Sequence, residues 1–399
     1  MLKQKNTGLL TSVLLAVILL LIGWAKPSLA GDYDDYDDDV AKLLQEYQIL
    51  PDDEGSYAPS VLLFKEGKDS NTLVDFETGL IVLTATTENL LKQSIIDVLL
   101  TQIDPSVIDA KTAQDFGLTN NKTNRPFFWE QVLDHTGQAI GSEWRAGKFA
   151  DYLLKGKTRQ SGRFKVSLAM VETHKDIAGG KYVKLAKAAS RQHKVPVSLV
   201  MAIMETESSF NPLARSRSNA LGLMQIKADT AGRDYFSLIK GYKHTPTSSF
   251  LYSPKNNIEV AAGYLSILGN RYLVGIKHPK KKEYAIISSY NGGAGNLWLS
   301  LDRKGNKTKS LARINKMSVS EFYWFLTNRH IRKETRNYVK KVSGKQAKYA
   351  NLWGFLWPSG LSLHPTQQQE FADMTKQITQ DDGPQGRLQR KASLSGIYI

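Results

Sequence analysis

Cysteine is absent from all 399 residues. That excludes disulfides, Cys-ligated zinc, thiolate nucleophiles and any lipid anchor attached through an N-terminal cysteine, so packing alone must hold the fold together. Other chemical signatures are missing as well. The chain has no His-Glu-x-x-His, no Gly-x-Ser-x-Gly elbow and no phosphate loop, and Gly293-Ala294-Gly295 lacks the third glycine of a dinucleotide turn. No metal and no cofactor is expected.

Negative charge is scarce, with 38 Asp and Glu against 53 Lys and Arg, a net charge of +15. Such a balance favours anionic partners. Six of the 38 lie in one run, Gly31 to Val40 (GDYDDYDDDV), which has nothing to bury and reads as a solvated lead-in over 31–56 rather than a calcium site. Long apolar runs are scarce too. The notable one, Leu9 to Trp24, follows Lys3 and Lys5 and precedes Ser28-Leu29-Ala30, the three parts of a secretory signal. It falls short of the ~20 apolar residues a spanning helix needs. The expectation is a signal peptide over 1–30 and export to the periplasm, with an uncleaved membrane-associated segment as the alternative. Losing Lys3, Lys5 and Lys26 would leave a net +12. In an exported protein the anionic partner is envelope polymer or a lipid surface, not nucleic acid.

What remains is globular. Hydrophobic residues at 41% and charged residues at 23% are the mixture of a soluble protein, and the length suggests about two domains at roughly 150 residues each. Ser60 to Phe64, Leu73 to Phe76 and Leu80 to Thr84, the last two flanking a Thr78-Gly79 turn, read as antiparallel strands. From Glu88 the period changes, and Leu90, Leu91, Ile95, Val98, Leu99 and Ile103 trace an amphipathic helix ended by Asp104-Pro105. The alternating stretch Phe164 to Val171 closes this first domain, expected over 57–175. After Gly179-Gly180 the text is helical, with one helix from Tyr182 to His193 and another opened by Pro196. The basic segment Lys277 to Lys282 reads as a loop between later helices. A helical domain over 176–355 and a partly disordered extension over 356–399 complete an α+β architecture.

In the helix opened by Pro196, the stripe Leu199, Val200, Ile203, Met204 continues onto Glu207. A carboxyl group on an apolar face has its charged form poorly solvated, so it holds a proton near neutrality and can act as a general acid. The plain alternative is a helix-end carboxylate paired with Arg215 or Arg217. Glu205, two residues earlier, points to another side of a helix and reads as a surface charge.

Four blocks in order decide between these readings: Glu207-Ser208-Ser209-Phe210-Asn211-Pro212 with Ser216; Ala220 to Ile226 (ALGLMQI); Ser289-Tyr290-Asn291-Gly292-Gly293; and Glu334 to Val339 (ETRNYV). In this order they resemble the soluble lytic transglycosylase family of the lysozyme-like superfamily. The stretch Trp129 to Leu153, with LDHTGQ at 133–138 and EWRAG at 143–147, looks like the amino-terminal domain of that family's membrane-bound transglycosylase C branch. The resemblance spans roughly 57–350. It implies an all-helical lysozyme-like catalytic domain acting on peptidoglycan glycan strands, at the β-1,4 bond between N-acetylmuramic acid and N-acetylglucosamine. Glu207 would be the single acid/base and the product a 1,6-anhydro sugar. By family position Ser216 and Gln225 would hydrogen-bond around the scissile sugar, and Tyr290 and Asn291 would line the cleft. Asn291-Gly292-Gly293 reads as a loop. Glu334 and Tyr338, four apart on a helix, share a face toward the groove, although Glu334 paired with Arg332 or Arg336 competes.

The sequence departs from that branch in one respect: with no cysteine to lipidate, outer-membrane attachment is in doubt. Peripheral contact with the membrane or with other envelope proteins is the remaining partner expectation. Two other readings remain, a lysozyme-type hydrolase that needs a second carboxylate to position water and a peptidoglycan-binding scaffold that keeps the fold without the chemistry.

Overall fold

The computed structural model describes residues 60–65, 68–101 and 125–350, which fall within one compact unit. The expected signal segment, acidic lead-in and C-terminal extension lie outside the described residues, as does Ile103. Among the described residues no helix is long and apolar enough to cross a membrane.

The first part is a five-stranded antiparallel sheet in the order β1-β2-β3-β5-β4, built from β1 (Val61–Lys65), β2 (Ser70–Asp75), β3 (Leu80–Ala85), β4 (Thr158–Gln160) and β5 (Arg163–Ala169). Register is set by burial. Val74 faces Ile81 across the β2–β3 ladder and Leu83 faces Val166 across β3–β5, and all four lie in one apolar cluster. Sliding either strand by one residue would turn these side chains to the opposite face. Helices α1 (Glu88–Leu100) and α2 (Glu143–Leu154) add Leu91, Ile95, Val98, Leu99, Ala146 and Phe149 to the same cluster. Each is started by a hydroxyl cap: Thr87 accepts from the Leu90 amide and Ser142 from that of Arg145, both at 3.3 Å. Leu90 is the exception in the expected apolar stripe, being 40% exposed. The LDHTGQ segment owes its pattern to architecture. Buried Asp134 accepts from the amides of Thr136 and Gln138, from the Thr136 hydroxyl and from Arg145 at 2.6 Å, which together hold its carboxyl far below the usual range against the opposing effect of burial.

The second part is helical: α3 (His174–His193), α4 (Val197–Ser208), α5 (Ser248–Tyr252), α6 (Pro254–Ile267), α7 (Pro279–Gly292), α8 (Ala294–Leu301), α9 (Lys307–Lys316), α10 (Val319–Asn328) and α11 (Lys333–Ala350). A two-stranded ribbon, β6 (Ala220–Leu221) with β7 (Ile226–Lys227), and a stretch of π-type turns over 228–240 lie between α4 and α5. Four expectations are corrected here. Helix α3 starts at His174, not Tyr182, and runs through Gly179-Gly180 because the Phe210 ring packs where a side chain at 179 would stand. Pro196 caps α4 from an extended conformation (φ −63°, ψ 132°) instead of entering its first turn. Only the start of the Lys277 to Lys282 segment is loop. Pro279 opens α7, and the Lys281 ammonium is buried, donating to the carbonyls of Ile314, Asn315 and Met317. Asn291 and Gly292 are the last turn of α7, and Gly293 (φ 79°) ends it, so this segment is not a loop.

The β2–β3 turn meets the helical part at His174. The ring nitrogens of His174 lie 2.9 and 3.0 Å from the carbonyl oxygens of Val171 and Phe76. Gly79 closes the turn at φ +74°, and a Cβ there would stand 2.8 Å from the His174 ring. Gly79→Ala should therefore lower stability by about 2 kcal/mol, read as a drop in Tm by calorimetry. An unchanged Tm would show that the turn relaxes without disturbing His174.

Candidate active site

Helix α4 is apolar nearly all round. Leu199, Val200, Met201, Ala202, Ile203 and Met204 are all essentially inaccessible, the pattern of a helix packed on every side. Glu207 sits in its last turn, only partly reached by solvent. Poor solvation of its charge raises its carboxyl from 4.5 to about 7. The buried Tyr338 hydroxyl, on α11, donates to Glu207 Oε1 at 2.6 Å and pulls the other way, while the charge of Glu334 pushes up again. Glu207 takes part in no ion pair among the described residues, and Arg215 is engaged with Asn219 instead.

Beyond Glu207 the chain turns sharply. Ser209 (φ 51°) caps the helix and Phe210 (φ 64°) follows, both left-handed without being glycine, at a cost of about 1–2 kcal/mol each. Phe210 is fully buried, and Asn211 bonds back to the Leu213 amide at 3.0 Å. Ser208 donates to the carbonyl of Leu223 at 2.8 Å, tying the helix end to the ALGLMQI segment.

The other expected site residues take definite places. Ser216 accepts from the Ala220 amide at 3.0 Å and shapes the turn into β6. Gln225 is also left-handed (φ 48°). Its Nε2 donates to the carbonyls of Ala214 and Gly222, both at 3.0 Å, while its Oε1 is buried without a partner. Tyr290 donates to the Met224 carbonyl at 2.8 Å, and burial with the nearby Glu207 charge pushes its phenol well above the usual range. Asn291 donates to Glu334 at 2.7 Å and accepts from Thr335 at 2.7 Å. Glu334 is exposed and also accepts from Arg332 at 3.0 Å, so the competing ion pair forms alongside the contact to Asn291. Glu207, Tyr290, Glu334 and Tyr338 thus share one electrostatic environment. Among the described residues Ser216 and Gln225 make no hydrogen bond to it and enter through the ribbon segment.

Three residues that hold this arrangement escaped the sequence reading. Buried Asn257 accepts from the Met224 amide at 2.8 Å and donates to the carbonyls of Leu221 and Leu251, fixing the ribbon. Thr335 orients the Asn291 amide. Glu205, expected at the surface, is 5% exposed. It accepts from the Tyr349 hydroxyl and lies 3.6 Å from the ammonium groups of both Lys345 and Lys348. An isolated Asn, Thr or Glu carries no sequence signal of such a role, because each gets its partner from a distant element.

Family models match both parts: the N-terminal domain of membrane-bound lytic murein transglycosylase C over residues 59–181, and the transglycosylase SLT domain over 184–312. Relatives named membrane-bound lytic murein transglycosylase C in Yersinia pestis (strain Pestoides F) and Yersinia pseudotuberculosis (serotype O:1b, strain IP 31758) are each 42% identical over 286 residues, covering 69% of this chain and 78% of theirs. The chain belongs to the membrane-bound lytic murein transglycosylase C family. Membership makes it a peptidoglycan-cleaving lyase. Within this family match, Glu334 and Tyr338 lie past the end of the SLT range. The solved 70 kDa soluble lytic transglycosylase of Escherichia coli is 26% identical over 47% of this chain and 26% of its own, with a TM-score of 0.31. Only about a quarter of that enzyme is spanned, and so low a score says nothing further about the fold.

The raised carboxyl has a thermodynamic consequence. The unfolded chain releases the Glu207 proton near 4.5 and the folded chain near 7, so stability is lost as pH rises through that window and the penalty is complete above it. Glu207→Gln cannot ionise. Its stability relative to the parent should be near parity at pH 4 and rise by up to about 3 kcal/mol by pH 8, less what solvent reaching the carboxyl screens. Thermal melts across that range check this, and a pH-independent difference would refute the raised carboxyl.

Proposed function

We propose that Glu207 acts alone as acid and then base in cleaving the β-1,4 bond between N-acetylmuramic acid and N-acetylglucosamine, leaving a 1,6-anhydromuramyl end. The observation that carries this reading is one carboxyl poised near 7 with a single neutral donor, Tyr338, against it. Protonated Glu207 gives its proton to the glycosidic oxygen as the bond from that oxygen to C1 breaks. The resulting carboxylate then takes the proton of the muramoyl 6-hydroxyl as O6 bonds to C1. The catalyst returns protonated and no water is consumed. A 6-hydroxyl held beside C1 outcompetes solvent through proximity.

A hydrolase would need a second carboxylate to activate water. Glu334 is the acid whose charge reaches Glu207, yet one of its oxygens is engaged by Asn291 and the other by Arg332. That favours a positioning role for Glu334. Ser216, Gln225, Tyr290, Asn291 and Tyr338 complete the substrate contacts, and the unpartnered Gln225 Oε1 has acceptor capacity to offer an N-acetyl amide. The sheet part over 57–175 serves as an accessory domain to the catalytic part over 176–355. The site of action is the bacterial envelope, in keeping with relatives named as membrane-bound.

Incubating the full chain and its Glu207→Gln variant with peptidoglycan sacculi, followed by mass spectrometry of released fragments, tests the reading. Anhydro ends from the parent and no release by the variant are expected. Reducing, water-added ends would replace it with hydrolysis. Tyr338→Phe removes a hydrogen bond to the carboxylate, so the high-pH limb of the rate profile should move up from about 7 by roughly one unit. A limb that stays in place would detach Tyr338 from Glu207.

A further inference from the structure

The proposed reaction uses no residue of the sheet part, yet one of its carboxylates reaches the end of the catalytic helix. Asp75 stiffens the β2–β3 turn by accepting from the Glu77 amide at 2.9 Å and the Thr78 hydroxyl at 2.6 Å. This directs Glu77 outward to the helical part. One of its oxygens accepts from the hydroxyl of Ser209, and the other lies 2.7 Å from the ammonium of Lys175 in the first turn of α3. Ser209 is the left-handed residue that closes α4, two positions after Glu207.

A third element arrives at the same point. Lys345 of α11 donates to the carbonyl of Glu205 at 3.1 Å, and its charge bears on both Glu77 and Glu205. A helix C-terminus exposes unpaired carbonyls and a partial negative charge, which attracts an ammonium group and repels a bare carboxylate. Glu77 is tolerated there because Lys175 and Lys345 flank it, and those two cations in turn need an anion between them. Lys348, close by, pairs with Asp176 at 2.6 Å and approaches Glu205. Lys345 is seven residues, two helical turns, from Tyr338, so both fall on one face of α11. The face that brings the Tyr338 hydroxyl to Glu207 is thus anchored by Lys345 where Glu77 meets the end of α4.

We infer that Glu77 is a positioning residue supplied by the sheet part: by holding Ser209 and balancing Lys175 and Lys345, it fixes the closing turn of α4 and thereby the setting of Glu207 against Tyr338. The inference rests on Glu207 being the acid/base. It makes the sheet part a component of the catalytic arrangement and not only a tether.

The test compares Glu77→Gln, Ser209→Ala and the double variant with the parent on a soluble glycan fragment, with Asp151→Asn, whose partner Lys92 lies on the far helix pair of the sheet part, as a charge control. Positioning predicts that kcat falls about tenfold for the loss of one charge-assisted hydrogen bond, that KM holds, and that the high-pH limb is displaced. The double variant should be no worse than Glu77→Gln alone, since Ser209→Ala breaks a contact that Glu77→Gln already weakens. Asp151→Asn should behave as the parent. An unchanged kcat and pH limb in Glu77→Gln, a change confined to KM, or losses that multiply in the double variant would each overturn the inference. Should Glu77→Gln fail to fold, Ser209→Ala, which leaves every charge in place, carries the same measurements. A Glu207→Gln variant run alongside separates the two levels: if it stays active, the acid/base reading fails, whereas a dead Glu207→Gln beside a fully active Glu77→Gln sinks only the role of Glu77.

Discussion

The packing of α11 against α4 is the constraint on which the site depends. It buries the last turn of α4 enough to raise Glu207, and it delivers the Tyr338 hydroxyl that keeps the carboxylate form accessible. Burial by itself would hold the carboxyl higher still, and the hydrogen bond by itself would hold it lower. Opposing the two places the carboxyl near neutrality, which is what the proposed acid-then-base role requires of one group.

The chain around that pairing is held by several independent contacts. The turn after Glu207 adopts two left-handed residues in succession, a conformation that persists only where neighbours over-determine it. Phe210 is gripped by the core, Ser208 by the Leu223 carbonyl, and the ribbon by Asn257. These contacts come from α3, α6 and the ribbon, so the rigidity of the site is a property of the whole helical part. Local helix propensity at Glu207 would not provide it.

How much of this could be read from the sequence follows from how local each cause is. The sheet, α1 and the α+β order were legible because period-2 and period-3.6 apolar patterns are written within a dozen residues. Glu207 was legible as an inward acid from its own helix stripe, and its neighbours from the four ordered blocks. The start of α3 was missed because Gly179-Gly180 looks like a boundary until the Phe210 ring, thirty residues on, explains it. Asn291-Gly292 looked like loop for the same reason: Gly292 lies against Thr335 of α11 and needs its small size there to stay helical. Burial of Lys281 and Glu205 was unreadable because the groups that satisfy them, backbone carbonyls near residue 315 and the end of α11, lie far along the chain.

Glu205 and Glu207 show how partner chemistry separates two acids on one helix. Both are enclosed, and two residues of helix turn them to different sides. Glu205 meets two ammonium groups and a phenol, a set that satisfies a buried anion. Glu207 meets a phenol and a neighbouring negative charge, with no cation in contact among the described residues. A cation placed beside Glu207 would stabilise its ionised form and remove the proton that the proposed reaction starts from. Placing both lysines at Glu205 instead anchors α11 to α4 electrostatically while leaving Glu207 without a cation in contact among the described residues. With 53 Lys and Arg in the chain, the proposed acid/base role requires that segregation.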